Sequence, residues 1–314
     1  MYRKSNAGRI ISLLLFFAFI LSGCASNGSF EKAAGLFEDG RYEEAREQFE
    51  AAVAQNPDDI TIRIGLGFDL AMLGKNEEAI SELFPVYDAK MLEGFSRNEK
   101  DVQFIFDLGE ALIDLYTEEG DAQKVAYISD QLMFNARSTE EKEKYRLLSA
   151  RAYADIYRDD IENVDAYRKA ITTVIDLSVY AGEEYASLVN SYRTEGDYKS
   201  MLAATDNMII YMRGRSAHID NFPSAIGIIL DAAQAASYAE TGRSPGDYYA
   251  AAQEFITLAG DKGLTYEQKL RYKIVIAERM HENDVAIRLL GVYLNHCPGD
   301  EKALKEKAFL ENRF

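Results

Sequence analysis

Gly242-Arg243-Ser244-Pro245-Gly246 has the G-x-S-x-G spacing, in which a serine on a strained strand-to-helix turn becomes a nucleophile once a histidine and a carboxylate stand beside it. Here the pentapeptide falls between two helical stretches with no strand before it. A Gly-Ser-Pro-Gly cluster is also what a loop needs to turn and to start a helix. His218, His281 and His296 show no H-x-x-x-H or H-E-x-x-H spacing, and the chain has no C-x-x-C, so no helix face is expected to hold a metal ion. His281 and His296 fall near helix C-termini, where positive charge is favourable. The carboxylate pairs Glu43-Glu44, Glu77-Glu78 and Glu183-Glu184 fall in first turns of expected helices, where the helix dipole accounts for them without acid or base catalysis. No glycine loop of the phosphate-cradling kind is present. The sequence assigns no catalytic residue, no metal ligand and no cofactor, and points away from an enzyme.

The elements around these residues are helical. Hydrophobic residues are 47% and charged residues 28% of the 314, the balance of a folded chain, and only five prolines interrupt it. The formal charge is −17. Arg3, Lys4 and Arg9 belong to a leader, and without it the charge is about −20. Such a surface repels phosphate backbones and anionic headgroups, which argues against nucleic acid as a partner and against adhesion through a basic patch. It solubilises a long helical body, or attracts cations or a basic partner. Many of the twenty tyrosines, among them Tyr153, Tyr192 and Tyr293, fall at helical core spacing and are expected to pack with their hydroxyls at the surface, while a minority could line a recognition surface.

Residues 1–9 are cationic and 10–21 form an apolar run broken only by Ser12. Twelve helical residues span about 18 Å, short of a ~30 Å hydrocarbon core, so the run reads as a signal peptide and not as a transmembrane helix. Leu21-Ser22-Gly23-Cys24 behind it resembles a bacterial lipobox. That resemblance implies removal of 1–23, a diacylglyceryl thioether on Cys24 and extracytoplasmic attachment, since several acyl chains hold a protein on a bilayer where one does not. Ala25 follows where the inner-membrane retention signal has Asp. The expected location is the periplasmic leaflet of an outer membrane if the cell has one, otherwise the outer face of the cell membrane. Residues 24–29 form the lipidated cysteine and a short spacer. Cys297, the other cysteine, has no intrachain partner if Cys24 is lipidated and reads as a partly buried apolar residue at a helix end.

From residue 30 a period appears. Gly40 and Gly74 stand 34 residues apart, as do Ala45 and Ala79, and a fixed period of this size marks a supersecondary unit that buries its apolar face against copies of itself. The first unit shows Gly40, Tyr42, Ala45, Phe49, Ala52 and Pro57; the second shows Leu66, Gly67, Leu70, Gly74, Ala79 and Leu83. Small residues sit where two helix axes cross closely, and large ones fill the space beside the crossing. These residues resemble a tetratricopeptide repeat. Arg63 stands where that family has Trp, and Asn76 where the first unit has Tyr42.

The first unit is expected as helices over 31–39 and 42–55, with Asp58 or Asp59 capping the next helix. Later units lengthen. Leu108-Gly109 and Leu112 open the third, closed by 121–133; then 140–157 pairs with 164–177, 184–194 with 198–212, 223–241 with 248–258, and 266–280 with 284–296, before a capping helix at 301–311. The expected fold is all-α, an α-solenoid of about seven antiparallel helix pairs plus a cap, over 30–314. The resemblance implies a concave face, lined by the first helix of each pair, that receives a protein or peptide partner. It points Ile64, Phe68, Met72, Phe106, Glu110, Arg151, Asn190 and Arg193 into that groove. The apolar members of this set could instead pack against a neighbouring unit. The function expected is a membrane-anchored scaffold or adaptor in the bacterial cell envelope; the alternative is a solute-binding or transport-accessory lipoprotein holding a small ligand in the concavity.

Overall fold

The computed structural model describes residues 28–93, 99–178, 181–215, 219, 221–238 and 242–312. The leader expected over 1–23, Cys24 and His218 lie outside the described residues. Fifteen helices of at least eleven residues account for most of the described chain, and no strand occurs among the described residues. They divide into two compact units, Met1–Asp160 and Ile161–Phe314.

In the first unit, α1 (Gly28–Glu38) and α2 (Tyr42–Gln55) form one hairpin, α3 (Ile60–Met72) and α4 (Asn76–Glu93) the next, and α5 (Glu99–Glu119) and α6 (Ala122–Phe134) the third. The last helix, α7 (Thr139–Tyr157), packs on α6. Gly28 and Ser29, expected as spacer, already belong to α1. The second unit opens with a short 3-10 turn, Ile161–Asn163, then α8 (Val164–Leu177) on α9 (Gly182–Glu195) and α10 (Tyr198–Arg213). Next come α11 (Phe222–Tyr238) with α12 (Pro245–Leu258), a single helical turn at Gly260–Gly263, α13 (Tyr266–Arg279) with α14 (Asn283–His296), and α15 (Glu301–Glu311) on α14. The boundary at 160 falls inside the expected pairing of 140–157 with 164–177: α7 is packed within the first unit and α8 within the second.

The turns show why these residues form hairpins. Gly40, at φ 75°, donates to Phe37 O and the next residue, Arg41, donates to Leu36 O. This double closure satisfies two orphan carbonyls and needs a left-handed residue, which glycine adopts without a Cβ clash. Gly196 closes α9 with the same two bonds, to Arg193 O and Tyr192 O. In the last hairpin His281 takes that place at φ 60°, donating to Glu278 O while Glu282 donates to Ala277 O. A side chain in that region costs about 1 kcal/mol. His281→Gly is therefore expected to raise the stability of the second unit by about 1 kcal/mol, read as a higher urea midpoint at unchanged m-value; an unchanged or lower midpoint would contradict it.

Returns between hairpins are capped. Asp59 accepts from the amides of Thr61 and Ile62, and Asp300 accepts from those of Lys302 and Ala303. The two departures from the repeat pattern have work of their own. Arg63 donates from Nε to Pro57 O at 2.6 Å and from Nη1 to Glu82 at 3.2 Å, tying the turn to α4. Asn76 donates to Glu118 at the end of α5.

The core of the first unit runs from Phe30 through Phe49, Ile62, Leu83, Tyr87 and Leu112 to Tyr145. Gly67 lies at the close crossing of α3 and α4, since a Cβ there would stand 2.6 Å from Leu83 Cδ2. Four tyrosine hydroxyls are taken by carboxylates. Tyr145 donates to Glu110, Tyr153 to Asp130, Tyr248 to Asp206 and Tyr293 to Asp300, each across helices or into a cap. Hydrogen bonding to Asp130, followed by burial, pushes the Tyr153 phenol up to about 12. Tyr192 is half-buried beneath the Arg168 guanidinium, 4.0 Å from its ring centroid.

Candidate functional site

The alternate helices of each unit stand side by side and are cross-linked by long side chains. In the first unit α5 is joined to α7 by Lys144 Nζ to Glu110 at 2.6 Å, and to the turn before α7 by Arg137 Nη2 to Gln103 at 2.9 Å. In the second, Arg193 Nη1 on α9 reaches Asp231 on α11 at 2.6 Å, Arg279 Nη1 on α13 reaches the Leu230 carbonyl at 2.7 Å, and Arg271 Nη1 reaches Glu306 on α15 at 2.8 Å. Each unit thus presents a face made from the first helices of its hairpins. The solvent-exposed ion pairs among these cross-links, Lys144–Glu110 and Arg193–Asp231, contribute little stability each, but the cross-links fix which side chains line the face.

The structure sorts the expected groove residues into two sets. Ile64, Phe68 and Phe106 are core residues of the first unit and are buried; Met72 is partly buried and packs against that core. These four pack on the core of the unit, the alternative that the sequence left open for the apolar members of the set. The reason is that α3 touches α1, α2 and α4, so successive residues 64–70 are all covered and the helix has no broad exposed stripe. Phe68→Asp would therefore report on folding, not on binding. Glu110 is half-exposed and shared between Lys144 and Tyr145. Arg151 on α7 is half-exposed, Asn190 on α9 is exposed, and Arg193 on α9 is exposed and paired with Asp231.

Sequence reasoning did not reach Asp107, Gly227 or Gln234. Asp107 lies three residues before Glu110 on α5, and burial raises its carboxyl above the ordinary value while a hydrogen bond from Gln103 opposes that rise. Gly227 and Gln234 flank Asp231 on α11; a Cβ at Gly227 would meet nothing within 4 Å, and Gln234 is exposed. The signal that could have found them is the three- or four-residue spacing from the paired acid on the same helix face.

The pentapeptide at 242–246 is a helix start. Ser244 is the N-cap of α12, its Oγ accepting from the Gly246 amide at 3.2 Å, and Arg243 Nε and the Tyr248 hydroxyl both donate to Asp206. Glu43-Glu44, Glu77-Glu78 and Glu183-Glu184 occupy the first turns of α2, α4 and α9. His296 is in the last turn of α14, its ring centroid 4.9 Å from that of Tyr266. No group of three or more His, Cys, Asp or Glu side chains able to hold a metal ion occurs among the described residues.

Residues 36–86, the second half of α1 through most of α4, match the family model of the tetratricopeptide repeat. Among solved structures it is similar to a tetratricopeptide repeat protein from Parabacteroides merdae (17% identity, 90% of this chain and 96% of that one, TM-score 0.37). It is also similar to the C-terminal part of a TPR repeat-containing protein from Cytophaga hutchinsonii (14% identity, 88% and 98%, TM-score 0.45). A third is the TPR2AB domain of yeast Sti1 in complex with an HSP90 peptide (14% identity, 83% and 96%, TM-score 0.31). No curated protein sequence matches the chain.

Proposed function

We propose that the chain is a lipid-anchored scaffold of the bacterial cell envelope that binds a protein or peptide partner on the faces formed by its alternate helices. The observation that carries this reading is the set of side-chain cross-links between those helices: α5 to α7, and α9 through α11 and α13 to α15. They hold a polar surface in fixed register while the apolar side chains turn inward. Asn190 and Gln234, exposed on adjacent helices beside the Arg193–Asp231 pair, have the donors and acceptors that a peptide backbone needs. The attachment rests on the Leu21-Ser22-Gly23-Cys24 stretch behind an apolar run.

Photo-crosslinking from position 190 in cells making the full chain tests the surface. One discrete protein adduct is expected, reduced at least tenfold by Arg193→Glu, which reverses the exposed charge next to it. An absence of adducts, or an adduct indifferent to Arg193→Glu, would overturn the assignment of this face. The anchor is tested in the same cells: Cys24→Ser should move the protein out of the membrane fraction and end its labelling by fatty acid. Persistent labelling would refute the lipid anchor and leave the binding face untouched.

A further inference from the structure

The hairpins of the first unit have two rims. Antiparallel pairing sets the turns at Gly40, Gly74 and Gly120 along one; the starts of α1, α3 and α5 and the ends of α2, α4 and α6 lie along the other. Ile60 opens α3 and is 42% exposed, Leu92 ends α4 at 81% and Phe134 ends α6 at 86%, all on this second rim. The other large exposed hydrophobic of the unit, Tyr127, is midway along α6, and the turn rim has none among the described residues. Single exposed apolar side chains are ordinary, but their gathering at one rim is not. Leu92 stands foremost: α4 has 18 residues against 13 in α3 and 13 in α6, so its last turn reaches about 7 Å beyond the ends of those helices.

α1 starts at Gly28 on the same rim. Cys24 precedes Gly28 by four residues, a reach of about 14 Å at most. The turn rim lies a further α1 length away, about 16 Å. Acyl chains on Cys24 therefore hold the rim of Ile60, Leu92 and Phe134 nearest the bilayer.

We propose that this rim is a membrane-facing surface: Leu92 enters the boundary between headgroups and acyl chains, with Ile60 and Phe134 set back on either side of it. The proposal rests on the lipid anchor at Cys24 proposed above. Once the anchor tethers the chain, Leu92 meets the bilayer at high effective concentration, so a small apolar contact is enough to orient the unit. The contact is not electrostatic. Asp58, Glu93, Glu99 and Asp101 outnumber Lys90 and Lys100 along the rim, and Lys90 is paired with Glu93 at 2.8 Å. A surface of that sign gains nothing from anionic lipid, so the bilayer it fits is zwitterionic. With this rim down, the helices of the first unit stand upright on the membrane and the α5–α7 face opens sideways.

The chain has no tryptophan, so a single introduced one reports its own surroundings. Leu92→Trp is compared with Glu77→Trp, an exposed position on the turn rim, in the full lipidated chain on phosphatidylcholine vesicles with and without brominated acyl chains. Bromine should quench Leu92→Trp about twofold or more and leave Glu77→Trp unchanged, because only a ring at the acyl boundary comes within its reach. Equal emission from the two positions in protein that floats with the vesicles would overturn the membrane-facing rim and leave the anchor standing. A full chain that does not float would overturn the anchor, and the rim with it. A blue-shifted Leu92→Trp that bromine does not quench would mean that a protein surface, a second copy included, covers the rim, and would overturn the proposal too. Adding phosphatidylglycerol should not strengthen the quenching; stronger quenching would mean attraction through Lys90 and Lys100 and would overturn the apolar contact.

Discussion

Replacing Gly65 with alanine is expected to destabilise the first unit by about 2 kcal/mol, although the same exchange in an open helix stabilises by about 1 kcal/mol through helix propensity. A Cβ at Gly65 would stand 2.5 Å from Phe49 Cε1, 3.0 Å from Cζ and 3.2 Å from Cδ1. Real contacts do not come that close, so the ring or the helix must move. The ring has nowhere to go: Phe49 is fully buried and meets Phe30 edge-on at 5.9 Å between centroids. Overpacking of a rigid core costs typically 1–3 kcal/mol and exceeds the propensity gain. Gly35→Ala in α1 is the control, since a Cβ there meets nothing within 4 Å, and it should stabilise by up to about 1 kcal/mol. Phe49→Leu removes ring atoms from the clash, so the loss caused by Gly65→Ala should shrink by at least 1 kcal/mol in the Phe49→Leu background, a coupling that a double-mutant cycle in urea measures. Equal effects at positions 35 and 65 would show that the crossing of α2 and α3 is looser than the structure has it.

Gly65 and Gly67 also mark how far the sequence could be read. Gly67 belongs to the 34-residue period and was expected at a close crossing; the structure puts it against Leu83 on α4. Gly65 lies outside the period, faces the preceding hairpin, and carried no signal of its own. Helix limits were legible because caps and glycines punctuate them: 42–55, 164–177 and 301–311 agree with α2, α8 and α15. The orientation of α3 was not. Apolar periodicity locates one buried stripe, whereas α3 has neighbours on several sides, so Ile64 and Phe68 are enclosed instead of facing a groove. The division at 160 was hidden as well, because Arg158-Asp159-Asp160-Ile161 reads like any polar turn. Arg151, Asn190 and Arg193, expected along the groove, are half-exposed or exposed on α7 and α9, where no buried stripe constrains them. The tyrosine hydroxyls were expected in water, yet Glu110, Asp130, Asp206 and Asp300 take them, contacts between residues 7 to 42 apart that no local pattern encodes.

The first unit should lose stability as pH rises from 4 to 8, and Asp69 is the reason. Its side chain is fully buried on α3, neither carboxylate oxygen has a hydrogen-bond partner, and Arg46 Nε on α2 is likewise buried and without one. Arg46 cannot serve Asp69 well because it is already drawn to Glu43 at 3.1 Å and Glu50 at 3.7 Å. Burial raises the Asp69 carboxyl to about 7; the attraction of Arg46 works against that, and the repulsion of Glu43 and Glu50 adds to it. The unfolded chain ionises Asp69 near 3.9. Between these two values the folded state holds a proton that the unfolded state has released, so each step up in pH favours unfolding, and the loss levels off above about 7. A shift of about three units corresponds to roughly 4 kcal/mol at most, and 2–3 kcal/mol is the expected size once the site relaxes around the charge. Asp69→Asn, neutral at every pH, should match the wild type at pH 4, exceed its stability by about 2 kcal/mol at pH 8, and show a flatter urea-midpoint profile between them. Parallel profiles would mean that Asp69 is ionised and satisfied in the folded protein, which requires Arg46 to leave Glu43 and Glu50 and turn inward to it. Charge reversal at Glu43, Glu43→Lys, separates the two cases: it weakens the competition for Arg46, lowers the Asp69 carboxyl and narrows the pH dependence only if the buried carboxyl is the group that titrates.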